Sequence, residues 1–114
     1  MTTSINTSSQ AIKAFGTGMA VTANNIANVE SEDFKSSRAV MNEGDNGGVK
    51  VTLSQNSSPG PLVTKDDGST QELSNTDLAS EFTSMINFQS GYDANIKSVQ
   101  TQDEMKGTIV NMVA

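Results

Sequence analysis

The chain has 114 residues, of which 34% are apolar and 4% aromatic, and a formal charge of −6; that suffices for one small domain with a thin core. It contains neither cysteine nor histidine, which removes thiol nucleophiles, disulfides, the usual zinc ligands and the commonest base near neutral pH. The acidic balance argues against a binder that tracks nucleic-acid phosphates and against anionic membranes.

Leu, Ile, Val and Phe total 23 residues, about 20%, at the edge of the composition where chains stop folding alone. Ser, Thr, Asn and Gln supply 44 residues against 18% charged, so the polar surface is mainly neutral hydrogen-bonding groups. Residues 1–29 carry a net +1 from Lys13, residues 30–75 carry −4, and residues 76–114 carry −3. Two long helix-compatible ends therefore flank a turn-rich centre that holds both prolines. No apolar run exceeds three residues, and residues 1–9 have neither a basic region nor a hydrophobic stretch, so neither a membrane span nor a cleavable leader is expected.

In the first segment Ile5, Ile12, Phe15, Met19, Ile26 and Val29 recur at heptad spacing, with Ser8 and Thr22 as polar members of the same line. The pattern predicts a helix near residues 4–29. Gly16 and Gly18 each cost such a helix about 1 kcal/mol, so it needs a partner. Asn28 reads as a helix C-cap in left-handed conformation.

The centre reads as an irregular connector to about residue 48, then a small β-hairpin across 49–72. Val49-Lys50-Val51-Thr52-Leu53 alternates at period two, Ser58-Pro59-Gly60-Pro61 breaks the chain, and Asp67-Gly68 marks a turn. Asp45-Asn46-Gly47-Gly48 resembles part of a calcium loop, but Leu53 stands at the twelfth position, so a turn is expected there. Asn6-Thr7-Ser8 and Asn56-Ser57-Ser58 match the short glycosylation sequon by chance.

In the last segment Leu78, Phe82, Met85, Gln89, Tyr92, Ile96, Val99, Asp103, Lys106, Val110 and Val113 alternate steps of four and three over five heptads. A capping box at Ser74–Asp77 predicts a helix near residues 75–112. Its length of about 50 Å implies an elongated molecule. Ile86, Phe88, Met105, Ile109 and Met112 lie beside the seam and widen the apolar face beyond what one partner helix covers. Gln89 and Asp103, polar on the seam, are expected to have specific partners.

Two stretches resemble a known family. Ala23-Asn24-Asn25-Ile26-Ala27-Asn28-Val29 followed by Phe34-Lys35 is similar to the N-terminal A-N-N-I-A-N-x-x-T-x-G-F-K signature of bacterial flagellar rod and hook proteins. Ser74-Asn75-Thr76-Asp77-Leu78, Gln89-Ser90-Gly91-Tyr92-Asp93-Ala94-Asn95 and Gln100-Thr101-Gln102-Asp103-Glu104-Met105 resemble its C-terminal signature. Ser31-Glu32-Asp33 replaces the family's T-x-G, and Ser90 replaces an arginine that could bond in bidentate fashion. The centre is too short for the large outer domain of hook and distal-rod proteins.

The resemblance implies a short axial component of the flagellum, in the periplasmic rod or the hook. It would polymerise helically with copies of itself and other flagellar axial proteins. It would leave the cell through the flagellar type III export machinery without a cleavable signal peptide. The fold class expected is mainly α: two long terminal helices packed antiparallel in coiled-coil fashion, with one small hairpin between them. Residues 1–30 and 73–114 would form the helical inner-tube domain and 31–72 the connector. The expected interface comprises Ile12, Phe15, Met19, Ile26, Leu78, Phe82, Met85, Gln89, Tyr92, Asn95, Ile96, Val99 and Asp103. The motif residues are Asn24, Asn25, Asn28, Phe34, Asn75 and Asp77. No catalytic residue, cofactor, metal, nucleic-acid partner or membrane insertion is expected, since the acidic pairs Asp66-Asp67 and Asp103-Glu104 read as a turn and a helix face. A small exported helical-hairpin binding module forming a closed oligomer is the competing reading.

Overall fold

A computed structural model describes residues 2–45 and 47–113, excluding the side chains of residues 2 and 3. The elements in chain order are α1 (Thr2–Ala27), β1 (Ser37–Glu43), β2 (Val49–Gln55), β3 (Leu62–Thr64), β4 (Thr70–Glu72) and α2 (Leu78–Val113). Met1, Asn46 and Ala114, on which the expected turn at residues 45–48 and the ends of the expected helical domain partly fall, lie outside the described residues.

No proline interrupts α1, and its most buried line is made of small residues: Ser8, Ala11, Ala14, Gly18, Thr22 and Asn25. The larger Ile12, Phe15, Met19 and Ile26 flank that line and are half-buried. Small side chains at period 3.5 let neighbours approach the α1 backbone from two sides, with α2 on one side and the β1–β2 sheet on the other. Ala39 and Met41 of β1 and Val49 and Val51 of β2 are the half-buried members of alternating strands. Among the described apolar residues, packing therefore buries only Ala11 (7% exposed) and Ala14 (3%).

The expected fold class is overturned. Two antiparallel two-stranded sheets stand between the helices, β1 with β2 and β3 with β4, giving an extended mixed fold rather than a mainly α coiled coil with one hairpin. The single hairpin expected across 49–72 is wrong because β2 pairs upstream with β1, in register from Ser37↔Gln55 to Glu43↔Val49. Residues 37–43 read as irregular in sequence, since Arg38, Asn42 and Glu43 dilute their alternation. The coiled-coil reading fails on α2, in which no described residue is buried. The molecule measures 79 × 24 × 14 Å.

Helix α2 also begins later than its sequence suggests. Asp77, not Ser74, is its N-cap: Oδ1 accepts from the N–H groups of Ala79 (3.1 Å) and Ser80 (3.4 Å). Ser74 Oγ instead accepts from the Thr76 N–H at 3.1 Å and donates to Thr76 Oγ1.

The left-handed residue after α1 is Asp33, with φ 57°, and not the expected Asn28. Asp33 occupies the position where the family signature has glycine. Such a backbone is strained by roughly 1 kcal/mol for a residue with a Cβ, somewhat less for Asp. Asp33→Gly is therefore expected to raise stability by about 0.5 kcal/mol, net of glycine's greater freedom when unfolded and of the Gln71 Nε2 bond to Asp33 Oδ2. A thermal melt of the variant at or below the parent would contradict this.

Candidate functional site

The two helices meet through aromatic rings laid on glycines. A Cβ at Gly91 would lie 2.6–2.9 Å from three ring carbons of Phe15, and one at Gly18 would lie 2.9–3.0 Å from the ring of Phe88. Tyr92 approaches Gly16. Phe15 and Phe88 stack with centroids 6.4 Å apart and planes tilted by 53°, a favourable aromatic geometry. The glycines that weaken each helix locally are thus what allow the helices to touch.

The half-buried line of α2 runs through Met85, Phe88, Tyr92, Asn95, Ile96, Val99 and Gln102. Phe88 and Gln102 lie one residue before the expected Gln89 and Asp103, both of which are exposed, as are Leu78 and Phe82. The side chain of Asn95 donates to the Gly91 carbonyl of its own helix at 2.7 Å. Gln89 and Asp103 thus have no part in the contact with α1. Apolar periodicity sets Phe88 beside the seam rather than on it, and it passes over Gly18 and Gly91 because it counts no glycine.

A polar joint ties the helix ends to the centre. The Asn25 side chain, 1% exposed, pairs with the backbone of Ser37: its Nδ2 donates to the carbonyl at 2.6 Å, and its Oδ1 accepts from the N–H at 3.0 Å. It acts as a surrogate strand residue that starts β1. Asn75 does the same before α2. Its Oδ1 accepts from the Ser36 N–H at 2.7 Å, and its Nδ2 donates to the carbonyls of Asn56 (2.8 Å) and Ser58 (2.9 Å). The Asn75 N–H donates to the Phe34 carbonyl at 3.2 Å, which places motif residues from both ends of the chain in one junction. Asn24 and Asn28 bond only locally, Asn28 Nδ2 donating to the Asn24 carbonyl at 2.9 Å and Asn28 Oδ1 accepting from Ser31 Oγ at 3.0 Å.

Lys35 Nζ and Glu72 form an ion pair in this joint, and Glu72 Oε1 also accepts from the Gly60 N–H at 2.8 Å. The ammonium of Lys35 and the Gly60 N–H hold the Glu72 carboxyl below the ordinary glutamate value of 4.5. A carboxylate lowered on folding stabilises the fold above its ordinary value, and that contribution is lost as pH falls through the lowered one. Acidification below pH 4.5 should therefore release Gly60 from Glu72. The Gly60 amide resonance is expected to titrate there, and Glu72→Gln should abolish the titration; a pH-invariant resonance in the parent would refute the coupling.

A cleft between the ends of β1–β2 and α2, lined by Ser36, Arg38, Asn56, Asn75, Asp77 and Glu81, carries two carboxylates. That of Asp77 is engaged in capping α2. Among the described residues no three acidic side chains gather as metal ligands, and no helix is long and apolar enough to cross a membrane. What stands out at the surface is apolar: Leu53, Leu62, Phe82, Ile86, Met105, Ile109, Val110, Met112 and Val113 are all exposed.

Residues 68–112 match the family described as flagellar basal body rod FlgEFG protein C-terminal. The chain is also 44% identical over 43 residues to the flagellar hook protein FlgE of Treponema pallidum (strain Nichols). That stretch covers 38% of this chain and 9% of the hook protein's length. The family match takes in the turn before β4, the Asn75 end of the joint and nearly all of α2, whereas Asn24, Asn25 and Asn28 lie before it.

Proposed function

We propose, for a chain that belongs to the flagellar basal body rod and hook family, the role of a structural subunit of the rod or hook that polymerises helically through its terminal helices. Residues 1–30 and 73–114 form the inner-tube unit and 31–72 the connector. Its partners are copies of itself and other flagellar axial proteins, reached by export through the flagellar type III apparatus. It transmits torque by packing rather than by chemistry.

The observation that carries this reading is the mismatch between core and surface. Two alanines are buried among the described apolar residues, against twelve exposed large ones, and exposed apolar area on that scale marks an interface. A contact that repeats without closing on itself builds a filament, and each copy then covers what its neighbour leaves bare. Exposed Gln89 and Asp103 suit such contacts, since they are not used against α1.

The test is incorporation. Ile96→Asp with Val99→Asp places two charges on the half-buried line of α2 and should remove the chain from purified basal bodies and abolish motility. Retention of the double variant would refute assembly through the helix pair, and absence of the parent chain from basal bodies would refute the flagellar role.

A further inference from the structure

A mild oxidant attacks this chain through its thioethers. Cysteine and tryptophan are absent, whereas methionine occurs six times, and methionine passes to its sulfoxide under conditions that leave most other side chains intact. The fold sorts the described methionines into two groups. Met19 in α1, Met41 in β1 and Met85 in α2 are half-buried. Met105 is 53% exposed and Met112 81%.

The unequal length of the helices causes this division. Phe15 lies on Gly91 and Phe88 on Gly18, so α2 advances as α1 recedes. Helix α1 begins at Thr2, thirteen residues before Phe15, and therefore runs out opposite roughly residue 104 of α2 at one residue for one. Every described residue from 103 onward is exposed. Met105 and Met112 are seven residues apart, about two turns, so their thioethers lie on one side of this uncovered end with Ile109 between them.

Resting on the assembly role above, we infer that Met105 and Met112 are an oxidation site that controls assembly. A hydroperoxide reaches them in the free chain, and the sulfoxides it forms withdraw the end of α2 from its contacts between copies. In each event the thioether Sδ gives an electron pair to one peroxide oxygen, an S–O bond forms and the O–O bond breaks. The proton on the transferred oxygen passes to the departing hydroxide, which leaves as water. Sulfur is thereby oxidised and the peroxide reduced. Hydrogen peroxide is uncharged, so neither Glu104 nor Lys106 beside the site steers it.

The sulfoxide is polar and chiral where the thioether was flexible and apolar. Met105 and Met112 are two of the five large apolar side chains beyond the end of α1, with Ile109, Val110 and Val113, so their conversion removes much of what a neighbouring copy would cover. Methionine sulfoxide reductases restore the thioether, one enzyme for each sulfur epimer, which makes the block reversible.

The purified full chain is treated with hydrogen peroxide, and the oxygen gained at each methionine is followed by peptide mass spectrometry. Met105 and Met112 are expected to oxidise several-fold faster than Met19, Met41 and Met85; equal rates at all five would overturn the site. Cells carrying the parent or the Met105→Leu/Met112→Leu chain are then grown with and without peroxide, and each chain in purified basal bodies is measured against its own untreated amount. The parent is expected to fall several-fold under peroxide and the double variant several-fold less, because leucine keeps the apolar volume without the sulfur. Equal losses in the two chains would overturn control of assembly while leaving the flagellar role standing. Absence of the untreated parent from basal bodies would overturn both.

Discussion

Gly91→Val is expected to destabilise the protein by about 1–3 kcal/mol, because a Cβ at that position meets three Phe15 ring carbons at 2.6–2.9 Å. The better helix propensity of valine returns only a few tenths of a kcal/mol. For a chain of roughly this length each kcal/mol lost lowers the melting temperature by about 4–8 °C, readily followed by far-ultraviolet circular dichroism. Gly107, where a Cβ would find no neighbour within 4 Å, is the internal control. Gly107→Ala should stabilise α2 by up to ~1 kcal/mol. If the two substitutions shift the melt in the same direction, the ring-on-glycine contact does not hold the helices together.

Asn25→Ala should cost about 2–4 kcal/mol. It removes two hydrogen bonds and strands the N–H and carbonyl of Ser37 at a site where the Asn25 side chain excludes water. Asn25→Asp should be no better, since a carboxylate oxygen would replace the Nδ2 donor facing the Ser37 carbonyl. The adjacent Asn24 is exposed and its side chain meets only Asn28 at 3.3 Å, so Asn24→Ala should stay within about 0.5 kcal/mol of the parent. Equal melting temperatures for Asn24→Ala and Asn25→Ala would exclude the joint as a source of stability. Hydrogen exchange at Ser37 localises the effect: in Asn25→Ala its amide should lose protection before those of α1 do.

The repeated asparagines of the N-terminal motif thus differ in what they do. Asn25 starts a strand, whereas Asn24 and Asn28 close the last turn of α1. Their sequence neighbourhood does not distinguish them, because all three are amides within one turn and a half of helix. The distinction comes from which azimuth of α1 faces the chain returning through Ser36 and Ser37. The αL residue is a comparable case. Asparagine at position 28 satisfies every local rule for a C-cap, yet the backbone left-turn falls at Asp33, whose N–H donates to the Glu72 carbonyl at 3.0 Å. A contact 39 residues downstream selects it.

Both long helices are legible from heptad spacing, as are the turn at Asp67–Gly68, where Gly68 has φ 84°, and the excess of apolar surface. These depend on periodicity and local backbone preference, which the order of residues carries directly. Only the tertiary structure decided that β2 pairs with β1, that small residues and glycines rather than Ile and Met form the tightest line of α1, and that Asn25 and Asn75 join the two ends of the chain. Each of those depends on which distant segment arrives against a given face, and the free energy of that meeting comes from close approach and paired backbone groups that no single stretch contains.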